Sequence, residues 1–202
     1  QRYYGHLPAA DIPPRELPVE PAQQAERVVE MVRGTHTEKL HVGYAGPALG
    51  NRDHDVLTVL NELLLGGRSA RLYRRLVSEG ELASEARASI SPFQDPGLFE
   101  FWVGMREGHG AREALDVIDS ELDGLRTQLV TAQELEKASA RLELGLLQGL
   151  ETCSGKAEHI GLLELVLGEV GDVTQQIESW RSVTAEEIRE VVGRLLMRER
   201  RT

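Results

Sequence analysis

Two histidines in the segment 36–41 come nearest to a metal site. His36 and His41 flank Glu38, whereas zinc hydrolases place two histidines about one helical turn apart, as HExxH or its inverse HxxEH, with a glutamate to accept a proton from bound water. Neither motif occurs in the chain. Five residues apart on a predicted strand, the two histidines would point to opposite faces. A metal site and a solvated strand edge are the alternatives, and the spacing favours the edge.

The other candidates for chemistry are a glycine pair and one thiol. Gly66-Gly67-Arg68-Ser69 precedes a predicted helix, and glycines before a helix can expose amide donors to a phosphate. The segment lacks the GxxxxGK[ST] pattern and follows a helix, which favours one helix end meeting the next helix start. Cys153 and Ser154 have no evident base beside them. The residues therefore predict no catalytic residue and no metal ligand in this chain.

The composition excludes several classes of protein. The chain has 202 residues, enough for one sizeable core, and 23 basic against 33 acidic residues give a net charge of −10. This charge has the wrong sign for a surface that must attract nucleic acid, and no apolar run reaches the ~20 residues of a membrane-spanning helix. A single cysteine excludes an internal disulfide. The bacterial periplasm and the cytoplasm are both compatible with one reduced thiol.

Proline divides the chain into a linker and a domain. Five of the eight prolines fall within residues 1–24, where they fix φ and remove backbone donors, so we expect an extended linker there. Residues 25–202 are expected to form one domain, and the ends suggest a fragment of a longer, two-domain chain.

The elements that would position the candidate residues follow from apolar spacing. Residues 28–32 and 38–44 are β-branched or alternating and predict two strands. Asp53 is expected to cap a helix that ends at Gly66-Gly67, and Ser69 to cap a second helix over 70–79.

A hairpin and a helical part complete the prediction. Residues 86–90 and 99–105 alternate on either side of Asp95-Pro96-Gly97 and predict two paired strands. Residues 110–198 are helical in pattern, with capping boxes at Thr131/Glu134 and Thr184/Glu187 and buried faces expected over 154–168 and 185–197. The order ββααββ followed by helices predicts an α+β fold, an antiparallel sheet covered by helices.

A longer stretch carries a family resemblance. The run Leu63 to Val77, with Gly-Gly-x-Ser-x-Arg-Leu-Tyr at its centre, follows Gly46-Pro47-Ala48-Leu49-Gly50 and Asp53. It resembles the C-terminal, inactive domain of the insulinase and mitochondrial-processing-peptidase family of pitrilysin-type zinc peptidases. The resemblance covers nearly the whole chain. The family-motif residues, expected to be structural or to line a chamber, are Gly66, Gly67, Ser69, Arg71, Leu72 and Tyr73.

The resemblance implies a role without chemistry of its own. Two homologous halves of such a peptidase enclose a chamber, and the N-terminal half holds the zinc, so this chain would form the opposite wall. Active members often carry an Arg, and a Tyr seven residues later, that hold the substrate backbone. Val77 and Ser84 occupy the matching positions here. The resemblance therefore implies partners: the catalytic half, an unfolded peptide substrate, and a second subunit that supplies the Arg/Tyr pair.

Two interpretations within the family remain open from the sequence, and an unrelated binding module is the alternative outside it. The chain is either the chamber wall of a zinc-dependent endopeptidase or a catalytically silent structural subunit of a larger complex. In both, residues 198–202 are expected not to form a full strand and to leave a sheet edge open. An HxxEH motif in the other half would distinguish the two.

Overall fold

Alternating apolar residues build a three-stranded antiparallel sheet in the computed structural model, which describes residues 3, 5–8, 10–11, 18, 20–168 and 170–202. Strand β1 is Lys39–Gly46, β2 is Ala83–Ile90 and β3 is Gly97–Met105. The strands lie in the order β1-β3-β2, so β3 is central. The hairpin of β2 and β3 is confirmed.

Helices occupy most of the remaining described residues. Helix α1 is Arg52–Leu65, and α2 is Arg71–Tyr73, which continues into a π-helical turn over Arg74–Ser78. Five helices then follow β3, and the last of them leads to a 3-10 turn at Arg198–Arg200. They are α3 Ala111–Thr127, α4 Ala132–Gly149, α5 Cys153–Leu167, α6 Val173–Arg181 and α7 Ala185–Leu195.

One face of the sheet forms the core. Phe99 and Phe101 on β3 are fully buried, and their rings meet edge to face with centroids 5.2 Å apart. Helices α1, α3 and α7 cover this face and add Leu60, Ile118 and Val192, each at most 1% exposed. Sheet and helices therefore form two layers around one core, and the predicted α+β class is confirmed.

The helix starts agree with the sequence only in part. Both predicted capping boxes form: the Glu134 amide donates to Thr131 Oγ1 (3.3 Å), and the Thr131 amide donates to Glu134 Oε2 (2.9 Å). The predictions of two other helix caps were wrong. Asn51, not Asp53, caps α1, because its side chain accepts from the Asp53 amide. Ser69 caps nothing: α2 begins after Ala70 without a side-chain cap, and Ser69 Oγ contacts Lys137 Nζ.

The first of the two predicted N-terminal strands was wrong. Residues 28–32 form neither strand nor helix, and their four large apolar side chains are 71–93% exposed. β-branched composition favours an extended chain, but a strand also needs a neighbour that completes its hydrogen bonds. The element order is therefore βααββ followed by helices. The second predicted strand is confirmed as β1.

Helix α5 was expected to bury a face and does not. Leu163 is its one buried residue, whereas Ile160, Leu165 and Leu167 are 41–81% exposed. Apolar residues lie all around this helix, so their spacing defines no single face for the core. The buried face predicted for α7 is confirmed by Ile188, Val191 and Val192.

The two ends of the chain differ in what can be described. Residues 1–2, 4, 9, 12–17 and 19 of the predicted linker over 1–24 lie outside the described residues, and the described part of the linker contains no helix or strand. At the other end, Arg201 forms an isolated antiparallel bridge with Tyr44, not a full strand. Within the part of the chain that the structure describes, no helix is long and apolar enough to span a membrane.

Candidate functional site

The glycine motif forms the turn between α1 and α2. The Gly66 amide donates to the Glu62 carbonyl (2.9 Å), and the Gly67 amide donates to the Leu65 carbonyl (2.8 Å). Gly67 has φ +122°, a backbone angle that residues with a side chain rarely adopt. A Cβ at this position would lie 3.2 Å from the Arg141 guanidinium carbon. The motif is therefore a helix end meeting a helix start, and its amides bond to helix carbonyls.

Arg71 of the motif makes three side-chain hydrogen bonds to carboxylates. Its Nε and Nη2 donate to the two carboxylate oxygens of Glu134 on α4, at 2.6 and 2.9 Å. Its Nη1 donates to Glu121 on α3 at 3.2 Å, and Glu121 also accepts from Arg75 at 2.8 Å. The bidentate pair with Glu134 holds α2 against α4, and the bond to Glu121 holds it against α3. Leu72 beside it is fully buried and Tyr73 is half-buried, so these three motif residues have structural contacts.

Replacing Glu134 should make the domain less sensitive to acid. The hydrogen bonds from Arg71 hold the pKa of Glu134 at about 2, below its ordinary 4.5. A depressed carboxyl pKa stabilises the fold above pH 4.5, and this contribution is lost as pH falls through about 2. We expect Glu134→Gln to lower the free energy of unfolding at pH 7 by about 2 kcal/mol and to flatten its slope between pH 4.5 and 2.

Urea unfolding at a series of pH values measures this effect. Glu136→Gln is the matched control, because Glu136 lies on the same helix and is exposed. If the unfolding free energy of Glu134→Gln falls between pH 4.5 and 2 as steeply as that of the control, the depressed pKa of Glu134 does not contribute to stability and the prediction is wrong.

The positions predicted to lack the substrate clamp are part of the scaffold. Val77 is 8% exposed and packs into the core from the π-helical turn. Ser84 is exposed at a β-bulge between Ala83 and Glu85, and its hydroxyl donates to the Gly104 carbonyl at 3.1 Å. Neither side chain offers a guanidinium or a phenol. That these positions match the clamp of active relatives stays a prediction.

The two histidines considered for metal binding are not brought together as ligands. His36 lies in the exposed segment before β1, not on the strand as expected. His41 Nε2 lies 2.8 Å from Glu100 Oε1. Among the described residues no group of three or more His, Cys, Asp or Glu side chains could hold a metal ion.

The face of the sheet opposite the helices is the strongest candidate site. Lys39, His41 and Ala45 on β1, Glu85, Arg87 and Ser89 on β2, and Leu98, Glu100 and Trp102 on β3 point to this face, which we call the open face. Their strand neighbours point to the core, because side chains alternate along a strand. Trp102 is 40% exposed and Leu98 45%.

One row of the open face combines an aromatic surface with charge. The strand register places His41, Trp102 and Arg87 side by side. The His41 ring stacks on Trp102 with centroids 3.6 Å apart, and the Arg87 guanidinium carbon lies 5.5 Å from the Trp102 centroid. Glu100 lies in the next row, with its Oε1 2.8 Å from His41 Nε2. The row can bind flat, apolar or charged groups, and it contains no nucleophile with a base.

Sequence reasoning missed this row. The alternation along β2 and β3 already separates Arg87, Glu100 and Trp102 from the core residues, which was the available signal. The alternation does not give the register between strands, and only that register aligns His41 with Trp102.

Comparison with known proteins identifies relatives among zinc proteases. A profile of the family described as the peptidase M16 inactive domain matches residues 1–142. A protein of Streptomyces coelicolor named as a zinc protease is 31% identical over 172 residues, which are 84% of this chain and 37% of that protein. A zinc protease of Helicobacter pylori is 30% identical over 139 residues, 68% of this chain and 31% of that protein.

Solved structures agree with these relatives. The crystal structure of a protease from Helicobacter pylori superposes on all of this chain with a TM-score of 0.87 and 25% identity, and the match covers 49% of that protein. A peptidase M16 inactive domain from Pseudomonas fluorescens has the same fold, with a TM-score of 0.77 and 17% identity over 96% of this chain and 45% of that one. The chain spans less than half the length of each of these four proteins.

Proposed function

This chain belongs to the peptidase M16 inactive-domain family, and from that premise we propose that it forms the non-catalytic wall of a peptide-binding chamber in a zinc metalloendopeptidase. The zinc site would lie in the catalytic half of the same protein. The open face would contact the peptide substrate.

The observation that carries the proposal is the uncovered face of the sheet. One face packs under helices, whereas the other exposes the His41, Trp102 and Arg87 row without any described helix above it. An unfolded peptide offers a planar backbone and varied side chains. An aromatic surface flanked by a guanidinium, with the Glu100 carboxylate nearby, can bind such a ligand without demanding one sequence.

The residues of this chain do not fit a zinc site. A catalytic zinc site needs three protein ligands, commonly histidine nitrogens or carboxylate oxygens, and an open position for water. His41 is engaged by Glu100 and Trp102, and His36 lies outside the strand. The zinc ligands would therefore come from the catalytic half, and no step of the hydrolysis is assigned to this chain.

Exposed aliphatic side chains on α4 and α5 offer a surface for that half or for a second subunit. Leu144 and Leu147 on α4 and Ile160 and Leu165 on α5 are 47–81% exposed. Apolar side chains exposed in such number are typical of contact surfaces. We propose that α5 packs against another part of the assembly. A second subunit that carries the Arg/Tyr pair belongs to the same proposal, because Val77 and Ser84 cannot hold a substrate backbone as that pair does.

Replacing Trp102 should weaken peptide binding without affecting the chemical step. In the full-length protein, with its partner subunit present, we expect Trp102→Ala to raise KM about tenfold while kcat changes little, because a central aromatic anchor contributes about 1–2 kcal/mol of binding. Arg87→Ala should raise KM less. Initial rates on an unfolded peptide, with a chelator blank, measure both.

Arg112→Ala is the matched control for Arg87→Ala. Arg112 is an exposed arginine on α3, on the helical side of the domain. An unchanged KM in Trp102→Ala would contradict contact between the open face and the peptide. Absence of chelator-sensitive cleavage in every combination, despite an intact HxxEH motif in the other half, would favour the catalytically silent subunit.

A further inference from the structure

Arg87 on the open face is an arginine without a partner of opposite charge. Its side chain is exposed, and within the part of the chain that the structure describes it forms no ion pair and no hydrogen bond. Other arginines of the domain pair with a carboxylate, as Arg52 does with Glu187 at 2.8 Å. The N–H donors of Arg87 are therefore left for solvent or for a ligand.

The guanidinium of Arg87 is nevertheless held in place. Strands β1 and β2 lie on opposite sides of β3, so His41 and Arg87 approach Trp102 from opposite sides. The His41 ring stacks on Trp102 with centroids 3.6 Å apart, and Arg87 Cζ lies 5.5 Å from the Trp102 ring centroid. A cation at this distance is attracted to the aromatic ring. The contact restricts the long Arg87 side chain before a ligand arrives, so less conformational entropy is lost on binding.

Two carboxylates of the chain lie on the same face but do not pair with Arg87. Glu100 lies one row away, and its Oε1 is 2.8 Å from His41 Nε2. Glu85 precedes Arg87 by two residues, and its side chain bends over Gly104, where an added Cβ would lie 3.1 Å from Glu85 Cγ. The Arg87 guanidinium therefore remains open to a carboxylate from another molecule.

The charges around the row indicate where such a carboxylate would bind. The Glu100 carboxylate leans towards β1, because it contacts His41, and it would repel a second carboxylate there. Arg87 and Ser89 lie on β2, on the other side of Trp102. Ser89 is exposed, and among the described residues its hydroxyl has no hydrogen-bond partner. A carboxylate on the β2 side can thus accept from the guanidinium and from the Ser89 hydroxyl.

Local charge, rather than the net charge of the domain, governs this contact. The chain carries a net charge of −10, which repels acidic peptides at long range. At physiological ionic strength salt screens exposed charges over about 8 Å, so a carboxylate in contact with Arg87 experiences mainly the guanidinium. A carboxylate also fits the planar fork of a guanidinium in two parallel hydrogen bonds, which fixes its orientation.

We propose that Arg87 is a specificity residue that binds a carboxylate of the peptide, either an Asp or Glu side chain or the C-terminal carboxylate. Trp102 positions the guanidinium, and Ser89 adds a hydroxyl donor. The inference rests on the proposed contact between the open face and the peptide substrate, and it adds one preference to that contact. The remainder of the peptide stays unrestricted in sequence.

Binding of labelled peptides to the full-length protein, with its partner subunit present, tests this inference. A chelator prevents cleavage during the measurement, and fluorescence anisotropy gives Kd. Three peptides share one sequence that has no other acidic residue. The first has Glu at its centre and an amidated C-terminus. The second has Gln at its centre and an amidated C-terminus, and the third has the same Gln with a free C-terminal carboxylate.

We expect one or both carboxylate peptides to bind about fivefold more tightly than the amidated Gln peptide, which is the upper range for an exposed ion pair. The peptide that shows the preference identifies the source of the carboxylate. Arg87→Gln should reduce the ratio of Kd values to about one. Arg87→Lys keeps the charge but loses the planar fork, so a ratio of about two should remain. Arg112→Gln, on the helical side, is the matched control and should keep the full ratio.

The outcomes separate this inference from the proposed chamber wall. Equal Kd values for the three peptides, or a preference that survives Arg87→Gln, would overturn the carboxylate site. If Trp102→Ala still weakens binding of all three peptides in that case, contact between the open face and the peptide stands. If neither Trp102→Ala nor Arg87→Gln changes the Kd of any peptide, the peptide does not meet the open face and both proposals fail.

Discussion

Residues 1–202 alone should hydrolyse no peptide above the uncatalysed rate, with or without added zinc. Hydrolysis near neutral pH needs an activated water and a group that holds the scissile bond beside it. Enzymes typically exceed the uncatalysed rate by 10⁶-fold or more. The described residues provide no metal-ligand group, and Val77 and Ser84 provide no clamp. We therefore expect activity only in a protein that adds a zinc-bearing half and, in our proposal, an Arg/Tyr pair from a second subunit.

Cleavage of a fluorogenic unfolded peptide, with a chelator blank, measures this prediction, and the full-length protein with its partner serves as the positive control. Zinc content provides an independent readout, because the isolated chain should purify without stoichiometric metal. One tightly bound zinc per chain that is lost in a His36→Ala, His41→Ala double variant would refute the absence of a site. Chelator-sensitive cleavage by the full-length chain alone would remove the need for a partner subunit.

Asp119→Ala should be among the most destabilising single changes in this domain. Asp119 and Arg201 have side chains 8% and 4% exposed and form an ion pair. Burial acts to lower the pKa of Arg201, but the hydrogen bonds that its guanidinium donates to Asp119 and Glu26 outweigh burial and raise that pKa. Arg201 therefore stays charged. Asp119→Ala leaves Arg201 with Glu26, which is 39% exposed, as its remaining carboxylate partner. We therefore expect a loss near the lower end of the roughly 3–5 kcal/mol that breaking a buried ion pair costs.

Asp116→Ala is the matched control. Asp116 lies one turn earlier on α3 and pairs with Arg112 at 3.1 Å, with side chains 61% and 76% exposed. An exposed pair of this kind contributes about 0–1 kcal/mol. Urea unfolding followed by circular dichroism compares the two variants at pH 7. Similar losses of unfolding free energy in both variants would show that the buried Asp119–Arg201 pair stabilises the domain no more than the exposed pair does.

The sequence by itself determined most of the helical scaffold and the central hairpin. Capping boxes at Thr131 and Thr184 specify helix starts because both hydrogen-bonding partners lie within four residues. Alternation in 99–105 specifies a strand with one buried face for the same local reason. Local patterns also led to errors where two neighbouring residues could both cap a helix. At the start of α1 the cap is Asn51, whereas Asp53 was predicted.

The family motif in the sequence led to the family. The motif did not reveal what its residues do. Arg71 pairs with Glu134, 63 positions away, and only the packing of α2 against α4 brings them together. The predicted burial of α5 was wrong for a related reason: apolar composition measures how much surface could be buried, whereas burial needs a neighbouring element.

Only the tertiary structure decided what the strands can bind. The register of β1, β2 and β3 aligns His41, Trp102 and Arg87, which come from three separate parts of the chain. The strand predicted at 28–32 shows the same dependence, because its composition suits a sheet but within the described residues no backbone group pairs with its backbone. Side-chain periodicity is a local property of the backbone. Strand pairing is a contact between distant segments, and its register depends on which of those segments are present.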